Sequence, residues 1–420
     1  IGHGCYADMT PRERVLAAIE HREPDCVPID FGGHRSSGIM AIAYADLKEA
    51  LGVRTGDIYV YDVIQQLAIV EPEVADALGV DTVELGRAFL QENADWQDWV
   101  LPNGMPCKIP GYVNVENRGG DWYLLGVDGL DLGVQKSGCL YFEQCHYPLI
   151  ERPIETDDLA DLSDRLGETM WTATAHPGAH MAFDEQGLGE LAAGARHLRA
   201  TTDRAIIGLF GGSIFEIPQF LYRIDNHLAN MALYADAVHR LVTELCDLHL
   251  ANLEKWLGAV GPYIDVILFG DDLGGQNGPL ISPTMYRELC KPYHRKLWRR
   301  AKELADAKVM LHSCGGIEPL LDDLIDAGMD TTNPVQITSV GMAPSRLKQV
   351  YGDRICFWGG GCDTRDVLPH GTPQQVAAHV RQHVDVLRPR GGFVFQQVHN
   401  IMADVPAENV VAMFAAVNDC

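Results

Sequence analysis

The chain has 420 residues, 47% hydrophobic and 22% charged, the balance of a soluble globular protein, and its longest apolar runs, such as Val266 to Phe269, are far too short to span a bilayer. Lysine and arginine number 33 against 58 acidic residues, and a net charge of −25 sets nucleic acid and anionic membranes aside as partners. Eleven scattered cysteines make no disulfide framework, and the opening IGHGCYAD has neither the basic nor the apolar part of a secretory signal, so a cytoplasmic location is expected.

The first helix is predicted at Thr10, an N-cap followed by Pro11, with Val15, Leu16 and Ile19 at helical spacing. Eight short apolar runs follow: Val27–Phe31, Thr82–Leu85, Ala205–Phe210, Val266–Phe269, Val309–Leu311, Met329–Thr332, Ile355–Trp358 and Phe393–Phe395. Most gaps between them carry a 3.6-residue period, as in Tyr234–Leu257, Pro283–Leu304 and Pro373–Leu387. Eight strands alternating with helices predict a (β/α)8 TIM barrel, read as a single domain over residues 1–420. The exception is about 96–148, where NG, GG and DG turns separate GYVNV and DWYLL, the pattern of an inserted antiparallel β-rich segment.

Polar residues and glycines follow every predicted strand. In order they read FGGHRS, ELGR, FGGS, FGDDLGGQ, HSCGG, NPVQ, GGGCDT and QQVHN. In a barrel these are the βα loops at the C-terminal rim, where one site is built from several strands. His312 and Cys314 leave the fifth strand together, and imidazole plus thiolate suits Zn2+, which takes about four ligands and keeps one position open when catalytic. The third ligand is His399 after strand eight or Cys362 after strand seven, with His399 preferred. Asp271 and Asp272 end strand four and are candidate catalytic carboxylates or a fourth ligand. A bland reading stands beside each: a lone His-x-Cys is more often packing, and an aspartate at a strand end is as often a helix cap. His34 and Arg35, after a Gly-Gly turn, can clamp a substrate carboxylate, and Gln336 in NPVQ joins them as a candidate substrate-binding group.

Four long stretches, TPRERVLAAIEHREPDCVPIDFGG, FGDDLGGQNGPLISPTMYRELCKPYH, LHSCGGIEPLLDDLIDAGMDTTNPVQ and FVFQQVHNIMADVPAENVVAMF, resemble the uroporphyrinogen decarboxylase superfamily. That superfamily includes zinc-dependent, corrinoid-linked methyltransferases on the same barrel. The decarboxylase branch is similar at LISPTMYRELCKPYH, but its arginine-rich N-terminal signature is replaced here by DFGGHRSSGI, and Glu84 stands near the place of its catalytic aspartate. The methyltransferase branch resembles this chain in the His-x-Cys after strand five, whereas its strand-eight cysteine is replaced by His399. Imidazole in place of thiolate makes a metal a harder Lewis acid, which fits polarising a methoxyl oxygen better than activating a thiolate.

The resemblance therefore implies a zinc-dependent transfer of methyl from a small methylated, O-methyl substrate to a corrinoid. No D-x-H-x-x-G corrinoid motif is evident, so the cobalamin is expected on a separate corrinoid protein or free. The runner-up is a metal-independent decarboxylase using Arg35 and Asp272. A non-catalytic binding barrel would keep the glycines and core without metal or turnover.

Overall fold

The computed structural model describes residues 8–174 and 181–420. The opening residues 1–7, on which the expected lack of a leader partly rests, lie outside the described residues. Seven of the eight predicted strands are present as strands, and the first, Val27–Phe31, forms a single bridge at Ile29. Seven make one parallel sheet in chain order: β2 (Thr82–Glu84), β3 (Ala205–Gly211), β4 (Val266–Gly270), β5 (Lys308–His312), β6 (Thr331–Asn333), β7 (Cys356–Trp358) and β8 (Phe393–Val394). The eighth member, β1, is the extended segment 28–31, which pairs in parallel through Ile29 with Phe395. Asp30 N donates to Phe395 O and Phe395 N to Pro28 O, while on the other side Asp81 N donates to Ile29 O, all at 2.8 Å. These bonds seat β1 between β8 and β2 and close the ring.

Each strand is short and buried on both faces, which is why it reads as an unbroken apolar run rather than an alternation. Ile207, Leu268, Met310, Trp358 and Val394 fill the barrel interior. Alternate residues such as Ile206, Phe269, Val309, Leu311 and Phe393 pack outward into the helical layer. The first helix, Pro11–Ile19, is capped by reciprocal Thr10 and Glu13 bonds and joins Val15, Ala18 and Ile19 to the interior cluster, plugging the end opposite the strand C-termini.

Two predicted helices stand close to their expected bounds, at Ala235–Val260 and Pro373–Leu387. The third, expected as one element, is two: Pro283–Leu289 and Lys291–Leu304 meet at Cys290, whose backbone (φ −123°, ψ −49°) leaves the helical region just before Pro292. A proline there lacks the N–H that a continuous helix would need.

The β-rich segment holds the hairpin Trp96–Val100/Pro106–Pro110 and a four-stranded antiparallel sheet of Asn114–Arg118, Asp121–Leu125, Asp131–Gln135 and Glu143–Gln144. An unpredicted small hairpin, Val60–Asp62 with Leu67–Ala68, lies beside it and brings Asp62 and Gln65 to the barrel mouth. Among the described residues no helix is long and apolar enough to cross a membrane.

Candidate metal centre and active site

The C-terminal ends of the strands open into a cavity of about 780 Å3, walled by residues from the ends and following loops of β1 to β5 and β8 together with the helices Glu185–Thr201 and Ala235–Val260. His312 and His399 line it, and with Cys314 each offers one ligand atom, the three atoms lying within 4.8 Å of one another. The Cys314 Sγ to His312 Nε2 distance is 3.6 Å. Tetrahedral zinc, with Zn–N about 2.0–2.1 Å and Zn–S about 2.3 Å, sets ligand separations of roughly 3.3–3.6 Å. The donor set fits the ion in chemistry, and the Cys314–His312 pair already has the spacing it needs.

Backbone packing aims the thiol. Gly315 has φ +86°, and a Cβ there would sit 2.3 Å from the Gly274 carbonyl carbon, so only glycine lets the 314–316 loop lie flat on the 273–275 loop. Cys314 N donates to Asp272 Oδ1 at 2.8 Å and Gly315 N to Gln336 Oε1 at 2.7 Å, which ties the loop at both ends.

Two asparagines aim the imidazoles. Asn333 Nδ2 faces two acceptors, Trp358 O at 3.0 Å and Gln396 Oε1 at 2.8 Å, so its Oδ1 must be the atom that meets His312 Nδ1 at 2.9 Å and Ser36 Oγ at 2.8 Å. An accepting Oδ1 requires the proton on Nδ1 and leaves Nε2 as a lone pair toward Cys314. His399 Nδ1 meets Asn400 Oδ1 at 2.8 Å in the same way, while Asn400 Nδ2 donates to Gln65 Oε1 at 2.9 Å.

Burial holds His399 down to about 4, with the neighbouring His312 adding to the effect, and lowers His312 as well. Both rings are therefore neutral at pH 7, the form that binds a metal. The thiol behaves oppositely: burial, and then the Asp272 and Glu216 carboxylates, push Cys314 well above the usual thiol range. Burial and the charges of Asp272 and Asp271 raise Glu216 far above the carboxylate range in turn. Three acidic groups crowded into one half-buried site are what a bound cation would relieve.

The remaining predicted residues divide. Asp272 lines the cavity, with Oδ1 3.7 Å from His312 Nε2. Asp271, its neighbour, turns away: fully buried, it accepts from the backbone N–H groups of Ile214, Phe215 and Glu216 at 2.8–2.9 Å and from His294 Nε2 at 2.6 Å. Its role is to fix the loop after β3. His34 and Arg35 line the cavity. His34 is held by Gln396 Oε1 and Asp30 Oδ2, both 3.1 Å from Nε2, and the Arg35 Nε lies 2.9 Å from Asp62 Oδ2.

Glu84 and Gln336 stand behind the wall. Glu84 accepts from Arg87 Nη2 at 2.8 Å, and Gln336 serves the Gly315 amide already described. Cys362 is fully buried, with Sγ toward Asp363 O at 3.9 Å, and stays apart from the cluster. The geometry thus groups His399 with His312 and Cys314. Sequence reasoning passed over Glu216, Asn333 and Asn400: Asn333 and Asn400 lie in the strand-end stretches NPVQ and QQVHN already singled out, whereas Glu216 opens a helix just beyond FGGS.

Residues 174–420 match the profile of the uroporphyrinogen decarboxylase (URO-D) family, and the chain belongs to that family. The uroporphyrinogen decarboxylase of Coxiella burnetii is 27% identical over 191 residues, covering 44% of this chain and 48% of the relative. The methylated-thiol–coenzyme M methyltransferase of Methanosarcina mazei is 35% identical over 107 residues, 24% of this chain and 25% of that protein. This chain thus spans about half the length or less of the curated relatives it matches. In backbone, a methyltransferase from Methanosarcina mazei superposes over 98% of this chain and 99% of its own with a TM-score of 0.58 at 16% identity, a likeness of fold.

Proposed function

We propose that the protein is a zinc-dependent methyltransferase, a demethylase that moves methyl from a small O-methyl substrate to a corrinoid carried by a separate protein or free in the cytoplasm, and that residues 1–420 act as one barrel unit. The observation that carries this reading is the cluster of His312, Cys314 and His399, whose two histidines line the cavity, with both imidazole Nδ1 atoms held by asparagine oxygens. The 35% identity to the methylated-thiol–coenzyme M methyltransferase supports it over a segment of the chain. His312, Cys314 and His399 would hold the zinc, which supplies a Lewis acid to an ether oxygen, while a reduced corrinoid supplies the electron pair that takes the methyl.

The chain's own residues orient, exclude water and hold a proton. Asn333 and Asn400 turn the two Nε2 lone pairs inward. Asp272 positions Cys314 through its amide and places its own carboxylate beside His312. Glu216, whose carboxyl is pushed far above the carboxylate range by burial and by the Asp272 charge, lines the cavity and would hold a proton there for an oxygen that loses its methyl. The apolar lining keeps bulk water from competing.

The test is to incubate the zinc-loaded protein with cob(I)alamin and methyl donors and to follow the change in the corrinoid absorbance. Methyl transfer that stops on chelation supports the proposal. The family membership favours one second reading, a metal-independent decarboxylation by Arg35 and Asp272, and carbon dioxide release undiminished by chelation would establish that instead.

A further inference from the structure

The cavity is far larger than a one-carbon donor needs, and its chemistry is divided. Its 780 Å3 compares with the roughly 150 Å3 of an apolar cavity that admits benzene, so methanol or a methylamine would leave most of it to water. His34, Arg35, Glu216, Asp272, His312 and His399 are among the polar groups of its lining. Much of the rest is aromatic: Phe89, Trp171, Phe183, Phe210, Phe220 and Trp256 all line it. Trp171 stacks on Phe220 with centroids 6.3 Å apart and planes 27° apart, and Phe210 tilts against Trp256 at 5.6 Å and 49°, so ring faces and edges are already fixed in place.

From this we infer that the substrate is an aryl methyl ether of one or two rings, its methoxyl at the His312–Cys314–His399 end and its ring among the aromatic side chains. The inference rests on the methyltransferase reading of the preceding subsection. Offset and edge-on ring contacts favour an aromatic guest over an aliphatic one of equal area. The leaving group agrees. When the methyl–oxygen bond breaks, its electron pair stays on oxygen, the methyl passes to the electron pair of the reduced corrinoid, and the oxygen then takes a proton to become a phenol. A phenol has a pKa of about 10, against about 15.7 for water, to which an alkanol is close, so an aryl ether asks less of a Lewis acid.

The experiment measures equilibrium binding to the zinc-loaded protein by quenching of tryptophan fluorescence, with 2-methoxyphenol, its demethylated product catechol, and methanol as probes. Both arenes are expected to bind saturably below millimolar concentration and methanol not to bind. Trp171→Ala, at a half-buried site on a short helix, should weaken both arenes by about tenfold with zinc content unchanged, and Phe220→Ala should do the same. Arenes that bind no better than methanol, with methyl passing from methanol to cob(I)alamin, overturn the inference and leave the methyltransferase reading standing. Arene binding that both variants weaken, without methyl transfer from any donor, supports the ring subsite and overturns the methyltransferase reading instead.

Discussion

Asn400→Ala isolates the claim that an asparagine aims His399. The side chain is buried, its Oδ1 accepts the His399 Nδ1 hydrogen bond at 2.8 Å, and its Nδ2 donates to Gln65. Truncation leaves a buried imidazole N–H unpaired, which costs about 1–3 kcal/mol of stability. It also frees the ring to rotate or to swap tautomers, and loss of such an outer partner lowers metal affinity by about 10–100-fold, or roughly 1.4–2.7 kcal/mol. Competition with a chromophoric chelator reads the zinc dissociation constant, and unfolding with and without zinc separates the two effects. Asn400→Asp keeps an acceptor against Nδ1 and should hold zinc within a few-fold of the parent. Equal zinc affinity for Asn400→Ala and the parent, in a protein whose Cys314→Ala variant has lost the metal, would refute the reasoning.

Zinc affinity should rise about tenfold per pH unit between pH 6 and 8, because His399 titrates near 4 while the Cys314 thiol lies well above its usual range and must lose its proton to the metal. In Cys314→Ala that slope should flatten in the same chelator titration, and a steep slope there would count against the thiol as the proton source. Asp271→Ala leaves three backbone N–H groups and His294 without their shared acceptor and should cost about 3–5 kcal/mol in urea unfolding; a loss under 1 kcal/mol would contradict its buried positioning role. Gly315→Ala forces a Cβ onto the Gly274 backbone at a φ of +86° and should displace Cys314, lowering zinc occupancy in elemental analysis, whereas full occupancy would show that the loop can give way.

The barrel was legible because its strands are buried on both faces and so appear as apolar runs, and the rim was legible because polar residues cluster where those runs stop. The hairpin around Asp62 was not, since two strands of three and two residues carry too little alternation to register. Asp271 and Asp272 are indistinguishable as letters. Which one faces the cavity is decided by the Ile214–Glu216 amides and His294, some 55 residues upstream and 23 residues downstream of Asp271. The asparagines escaped notice for the same reason: Asn333 is meaningful only against Ser36 and Gln396, 297 and 63 residues away. Ligand atoms leave a signature in residue type, whereas the residues that aim them are common polar side chains whose partners only the fold supplies. Glu216 is a milder case, five residues beyond β3 at the start of the helix Glu216–Tyr222, just past a Gly-Gly turn that is the more visible feature.

Elemental analysis of the purified protein, compared across single variants, tests the central claim most directly. One zinc per chain is expected in the parent and in Cys362→Ala, whose thiol is buried away from the cluster, and a loss of metal in Cys314→Ala and His399→Ala. A Cys362→Ala variant that loses its zinc while His399→Ala keeps it would contradict the assignment, and a parent that binds no zinc when the metal is supplied would contradict the metal centre itself.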